Sequence, residues 1–555
     1  MRGAGVITSD ARAPAVSRTR PARPARRGLD AGEWTLLILL ALVSAWVLGL
    51  DVYHQATGHG LVWTGSDGPY PTDQLQYMSW VRSASHHLLV ANLFVLHATP
   101  ADYFQPAVLI SGLLVAAGVA PWLSLLVWQP VAVVAMFFAF RAFVRRAMPD
   151  AGRGPWLAAI ALGLFYGSFT SVSGGIGVLG DLFPPFWTWG YAYGAIALAA
   201  IVAALIIYAS ARTQERLSWW PGLLGALASI LHPWQGELLV VVLILLEVFS
   251  SETREALRQV RSARRRRTEM LSPRIRLAVV SIGLTAVPLL YYAVLGKLDS
   301  SWSNGGNGLK HALPVLSILL ILLPLSLVAL TGYRGAPRNY LMRIARVWPV
   351  ATVIIFVESG ISTGGAPLHT FLGITLPLAV LAVDGCRRLG WGRLPFSRAL
   401  AVLLVLAFTV PTTYWELKVA RSSVAPTVES GNFITTGEHR AIEFLARDPT
   451  PGGVVARLYL GKVIPGVTGR HTYIGDCVWS EPDCSGRILL VAKLLRARMT
   501  PAQTRRTVLA LHARFLLTDC TLHVITGGHD HLAQRLGPVL QSERRFGCAT
   551  LYQVR

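Results

Sequence analysis

Arginine is not scattered along this chain; it stands at the ends of apolar runs. The runs fall at about 34–53, 122–143, 155–175, 189–212, 219–232, 234–249, 276–296, 312–332, 347–360, 370–384 and 399–413. Roughly 20 apolar residues suffice to cross the hydrocarbon of a bilayer. The first 33 residues and the connections 141–153, 212–216, 254–276, 334–346 and 387–398 together hold 30 of the 51 Lys and Arg. The alternate connections hold three, Arg82, Lys297 and Lys310. Cytoplasmic loops carry the basic excess, so this alternation sets an orientation. A further apolar run at 106–121 would break it, because crossing there would put Arg141, Arg145 and Arg146 outside. It is therefore expected to lie along the outer interface. The predicted fold class is a polytopic α-helical membrane protein of about 11 transmembrane helices, N-in and C-out, plus a small extracytoplasmic α/β domain.

Composition agrees and removes other classes. Hydrophobic residues make up 53% and charged residues 14%, against about 25% charged in soluble domains. The formal charge of +22 would suggest a nucleic-acid partner in a soluble chain. Its placement assigns it to topology instead. The run Arg264–Arg267 sits in an inner loop and reads as an orientation signal and lipid-headgroup contact, so no nucleic acid is expected. The basic set contains 46 Arg and only five Lys, a skew typical of a GC-rich bacterial genome. The predicted location is a bacterial plasma membrane. Three regions follow: a disordered basic cytoplasmic tail at 1–33, a transmembrane domain at 34–414 with a long first outer loop at 54–121, and an extracytoplasmic domain at 415–555. No small-residue cleavage site follows the first run, which is read as an anchor.

Residues 415–555 alternate short apolar and polar stretches. Segments 441–446 and 488–495 read as helices, 454–460 and 515–517 as strands. This region holds Cys477, Cys484, Cys520 and Cys548. Four cysteines on the outer side permit two disulfides in three pairings, with Cys477/Cys484 and Cys520/Cys548 the first choice. Zinc is the rival reading, but the spacing Cys-Val-Trp-Ser-Glu-Pro-Asp-Cys is not a C-x-x-C knuckle.

The first outer loop carries the most chemistry. It reads Trp63-Thr-Gly-Ser-Asp67-Gly-Pro-Tyr-Pro-Thr-Asp73-Gln-Leu-Gln-Tyr77, with a helix expected to start near Thr72 as its cap. Asp in a first helical turn is ordinary. Fixed between spans at the membrane surface, however, a carboxylate can take a proton from a substrate hydroxyl. Asp181 stands in a glycine-rich outer loop, where it is a turn residue or a metal ligand. His232 joins two short spans and His369 lies on the same side. Glu237 and Glu358 interrupt apolar runs, as groups facing a cavity do. Nucleotide-binding glycine motifs and H-E-x-x-H are absent from the sequence.

An inner N-terminus, one span and a long outer loop with an Asp motif resemble the GT-C superfamily of integral-membrane glycosyltransferases. The resembling residues are Asp73-Gln-Leu-Gln-Tyr77, Asp181 and the string Ile464-Pro-Gly-Val-Thr-Gly-Arg470, placed after an apolar strand. The resemblance implies a polyprenyl-phosphate-linked sugar as donor, the lipid bilayer as its route of entry, and a glycan, lipid or protein acceptor. It implies inverting transfer with Asp73 as catalytic base and Asp67 as its competitor. Tyr77 and Arg82, His232 or His369 would contact substrate or the leaving phosphate. A divalent metal ion such as Mg or Mn would be held by Asp181, although the paired acidic motif of some members is here a single Asp. The rival readings are a secondary transporter or lipid flippase, and a noncatalytic envelope-assembly scaffold. The odd span count and the absence of an evident half-repeat speak against transport.

Overall fold

A computed structural model describes residues 28–168, 182–250, 272–303, 315–362, 367–391, 396–427, 429–480, 482–525 and 531–555. Most of the basic tail, Asp181 and Arg264–Arg267 lie outside the described residues. The described chain is mostly helical, and seven helices are long and apolar enough to cross a membrane. They are Pro121–Ala147, Ala192–Thr213, Pro273–Leu298, Val315–Tyr333, Tyr340–Ser359, Leu368–Arg388 and Ser397–Ser423. An eighth forms if Ala31–Ser44 and Trp46–Thr57, bent by 42° at their junction, count as one crossing. The helices Arg153–Phe165, Trp220–Leu231 and Pro233–Val248, with 13, 12 and 16 residues, occupy three other expected spans but are shorter than full crossings. The run at 106–121 is broken into a short helix Pro106–Ala116 and the start of the Pro121–Ala147 helix.

Local chemistry explains the ends. Asp30 and Glu33 form a capping box at the start of the first helix, which satisfies donors that no intrahelical carbonyl reaches. Pro288, Pro324, Pro349 and Pro411 lie inside spanning helices. Proline is tolerated inside membrane helices where neighbouring groups can take up the freed backbone carbonyl. The arginine-bearing ends meet one another. Glu33 takes ion pairs from Arg141 at 2.8 Å and Arg145 at 2.5 Å, and Asp384 pairs with Arg338 at 3.4 Å. Arg387 donates to the Asp150 carbonyl at 2.9 Å and Asn339 to that of Ala147 at 3.1 Å. These connections, far apart in sequence, therefore share one end of the bundle.

The C-terminal segment is built on a four-stranded sheet. The strands are β1 (Leu61–Trp63), β2 (Phe433–Thr435), β3 (Val454–Val455), β4 (Phe515–Thr518), β5 (Leu540–Phe546) and β6 (Ala549–Val554). The larger sheet has the order β3-β4-β6-β5, with only the β3–β4 pair parallel. Successive residues of β4 point to opposite faces. Phe515 and Leu517 join one core with the helices Thr436–Arg447 and Leu458–Thr468; Leu516 joins the other with Cys484–Leu495. Disulfides link Cys477 to Cys484 and Cys520 to Cys548.

Two local expectations need correction. The helix of the first outer loop starts at Pro71, with Tyr70 at its cap, rather than at Thr72. Proline fits the first helical position because the N–H it lacks would have no partner there. The 454–460 run pairs as a strand only at Val454–Val455, then turns into the helix Leu458–Thr468. The Ile464–Arg470 string therefore ends a helix, with Gly469 in the left-handed conformation at its C-terminus.

The first outer loop and the C-terminal segment are interwoven. β1 pairs antiparallel with β2, Leu61 opposite Thr435 and Trp63 opposite Phe433. Leu75 and Met78 of the helix Pro71–Ala84 enter the same core as Ile434, Val463 and Ile464. Asn92 donates to the Trp479 carbonyl at 2.8 Å and Ser480 to that of Phe94 at 3.0 Å. The helix Ser397–Ser423 runs unbroken across position 414.

Candidate active site

Asp73 sits in the first turn of the helix Pro71–Ala84, half-buried. Tyr191, just before the helix Ala192–Thr213, donates its hydroxyl to Asp73 Oδ2 at 2.6 Å. Gly190 makes this approach feasible. Its φ is +81°, and a Cβ there would lie 2.3 Å from the Asp67 carbonyl oxygen. The Gln74 side chain donates to the Gly190 carbonyl at 2.7 Å. Glycine alone meets both the left-handed backbone and the close packing.

Around this pair the structure gathers groups from four further places. Tyr77, one turn along, meets the Tyr191 and Tyr193 rings at centroid distances of 6.2 and 5.1 Å. His232 caps the helix Trp220–Leu231 and is buried, with Nδ1 lacking a hydrogen-bond partner. His369 comes from the turn Pro367–Phe371. The two imidazoles lie 5.3 Å apart, and the buried Trp187 ring meets them at 4.8 and 5.2 Å. The C-terminal segment adds Lys462 and Asp476. Lys462 Nζ donates to Thr72 Oγ1 at 2.6 Å. Asp476 is buried, its carboxylate accepting from the Val478 N–H at 3.0 Å.

Burial pushes the Asp73 carboxyl up from its ordinary range; the Tyr191 hydrogen bond and the charges of His369 and Lys462 oppose that push. Burial, then the negative charge of Asp73, brings Asp476 up to about 7. Burial lowers Lys462, against the pull of Asp476 and Asp73. The cluster is thus electrostatically coupled across the two parts of the chain. Asp73, Tyr77, His369 and Lys462 all remain partly exposed, so a ligand can reach them.

Asp67 is held differently. It lines a cavity with Gln74, Tyr77, Trp122 and Gln129, Tyr77 being shared with the Asp73 cluster. Burial raises its carboxyl to about 7, and Oδ1 has no hydrogen-bond partner. Arg82 lies nine residues beyond Asp73 on the same helix, about 13 Å of helical rise away. The structure does not bring it to the cluster. Among the described residues no three His, Cys, Asp or Glu side chains converge as a metal-ligand set.

The cluster sits at one end of the bundle. The helix that begins beside Tyr191 ends 22 residues later at Thr213, where Arg212 pairs with Glu247 at 3.0 Å. Glu247 in turn closes the helix that begins after His232. A 22-residue helix is about 33 Å long, close to the thickness of a hydrocarbon core. The candidate site and the arginine-lined end are therefore separated by about one membrane.

Tyr191, Lys462 and Asp476 were not legible as site residues. Tyr191 lies in an aromatic string that reads as an interfacial belt. Lys462 had a weak signal, since it is one of five lysines in a chain that otherwise uses 46 arginines.

No family model matches the chain, and no curated protein matches it. Among solved structures, the Archaeoglobus fulgidus oligosaccharyltransferase in complex with Zn and sulfate aligns at TM-score 0.50 and 13% identity, covering 92% of this chain and 71% of that one. The archaeal oligosaccharyltransferase AglB from the same organism, with an inhibitory peptide and a dolichol-phosphate, aligns at 0.47 and 13%, covering 91% and 72%. The arabinosyltransferase EmbB from Mycobacterium smegmatis aligns at 0.39 and 15%, covering 66% and 31%. The first likeness shows the fold.

Proposed function

We propose that this chain, which has the fold of a GT-C integral-membrane glycosyltransferase, moves a sugar from a polyprenyl-phosphate donor to a glycan, lipid or protein acceptor. The observation that carries the reading is Asp73, hydrogen-bonded by Tyr191 and reachable at the membrane-surface end of the bundle. The archaeal structure of like fold is an oligosaccharyltransferase, which supports transfer over transport. The orientation rests on charge placement: the arginine-lined end faces the cytoplasm, the bundle crosses about 11 times, and the C-terminal segment is extracytoplasmic on a bacterial plasma membrane.

In this reading Asp73 accepts the proton of an acceptor hydroxyl. The freed oxygen attacks the anomeric carbon, the bond from that carbon to the phosphate oxygen breaks, and polyprenyl phosphate leaves with the electron pair. The configuration at the anomeric carbon inverts. General-base help of this kind contributes about 10²–10⁴-fold. In this reading His232 or His369 contacts the leaving phosphate; the Trp187 ring meets both imidazoles and the Tyr191 ring. Tyr77, against the Tyr191 and Tyr193 rings, contacts substrate in this reading. Asp181, the residue expected to hold a divalent metal ion, lies outside the described residues.

The test uses the full-length protein in proteoliposomes with a panel of radiolabelled polyprenyl-phosphate sugars. The proposal predicts transfer of label to an acceptor from a membrane-envelope extract. Absence of transfer with every donor contradicts it.

A further inference from the structure

The reading above uses a base from the first outer loop and leaves two charged side chains of the C-terminal segment unassigned. The helix Leu458–Thr468 packs directly on the helix Pro71–Ala84. Gly466 sits so close that a Cβ there would lie 3.0 Å from the Met78 Cβ. Leu75, Met78, Val463 and Ile464 share one core, so the two helices are fixed relative to each other. This contact brings the Lys462 ammonium to Thr72, the residue before Asp73, at 2.6 Å. Asp476 approaches from the turn closed by the Cys477–Cys484 disulfide. Its carbonyl accepts from the N–H groups of Trp479 and Ser480 at 3.1 and 2.7 Å, so its position is fixed too.

We propose that the C-terminal segment completes the catalytic site: Lys462 is a positioning residue whose ammonium, held at Thr72, favours the ionised, proton-accepting form of Asp73, and Asp476 is a second carboxylate that acts against it. This rests on Asp73 being the base. The chemistry follows from charge and burial. A carboxylate taken out of water tends to hold its proton, and a protonated Asp73 cannot take one from a hydroxyl. A neighbouring ammonium opposes that preference, as Lys462 does here beside the Tyr191 hydrogen bond and His369. Asp476 pulls the other way, since its negative charge disfavours a second carboxylate beside it; Asp73 in turn raises Asp476. The other groups facing Asp73 are the Tyr191 hydroxyl, which donates to it, the phenol of Tyr77, and His369. Tyr193 lies behind Tyr77. Among these groups Lys462 is the ammonium, its charge favoured by Asp476 and Asp73 against burial. A lysine suits the task, because its compact ammonium concentrates charge at one point.

The arrangement makes catalysis conditional on the C-terminal segment being docked. It also predicts opposite signs for two neighbouring substitutions, which a merely structural role does not. The experiment is an infrared titration of the full-length protein in detergent. The protonated-carboxyl band of Asp73 is assigned by its loss in Asp73→Asn. In Lys462→Met the midpoint of that band should rise by about one pH unit or more. In Lys462→Arg it should stay near wild type, and in Asp476→Asn it should fall. Gel filtration establishes that each variant is folded. Equal midpoints in wild type and Lys462→Met, or the same rise in Lys462→Arg as in Lys462→Met, overturn the proposal. The readout needs no sugar donor. If the Asp73 midpoint responds as stated but Asp73→Asn transfers sugar normally, the base assignment fails instead, and the two failures are told apart.

Discussion

Asp67 offers a prediction whose size follows from its surroundings. Its carboxyl is buried, Oδ1 has no partner, and burial raises it to about 7. Asp51, fully buried with neither oxygen partnered, lies within electrostatic range. In the unfolded chain an aspartate titrates near 3.9. Between these values the folded protein holds a proton that the unfolded chain has lost. Stability from this group is therefore fully present below about pH 4, declines as pH rises toward about 7, and is flat above that. A difference of about three units is worth up to about 4 kcal/mol. Asp67→Asn keeps the shape and removes the charge. It should match wild type near pH 4 and become the more stable protein as pH rises. Scaled to a chain of this size, the gain is roughly 1–2 °C of apparent Tm per kcal/mol. The assay is thermal denaturation followed by tryptophan fluorescence in detergent, at about pH 5 and about pH 8. A wild type and variant that differ equally at both pH values refute the reasoning. A variant less stable at the higher pH does so more strongly, because the carboxylate would then have a partner.

Other consequences follow from single contacts. Tyr191→Phe removes a hydrogen bond to a carboxylate, worth about 1.5–3 kcal/mol; the acid limb of the transfer rate should move to higher pH by about one unit. Gly190→Ala forces a Cβ against the Asp67 carbonyl and a left-handed backbone, and transfer should fall sharply with little change in expression, read by the same assay and an immunoblot. Replacing both Cys520 and Cys548, which close a loop of separation 28, should cost roughly 3–4 kcal/mol, measured as a fall in apparent Tm against wild type without reductant. A membrane-impermeant maleimide added outside should label Gln541→Cys and miss Arg266→Cys; the reverse pattern overturns the orientation.

The bundle was largely readable because hydropathy and arginine placement are local properties. The arginine-bearing ends that alternation grouped together do meet through Glu33, Asp384 and the Asp150 and Ala147 carbonyls. Asp73 is singled out by the resemblance of its loop, in which Asp67 competes with it for the same role. What sequence could not provide was the partner set. Tyr191 lies 118 residues from Asp73, and Lys462 lies 390 from Thr72; no periodicity reports such a meeting. β1 and β2 are three-residue strands paired across most of the chain, too short to show alternation. The 454–460 run failed for a related reason: a short apolar stretch fits strand or buried helix equally well. Only its first two residues find a sheet neighbour.

The most direct test of the whole account compares three proteins in the same proteoliposomes under single-turnover conditions. These are wild type, Asp73→Asn and Asp67→Asn, each supplied with the polyprenyl-phosphate sugar that wild type uses best. The account predicts that Asp73→Asn loses about 10²–10⁴-fold in the rate of sugar transfer while still binding donor, and that Asp67→Asn keeps most of the wild-type rate. Transfer at the wild-type rate by Asp73→Asn would contradict it.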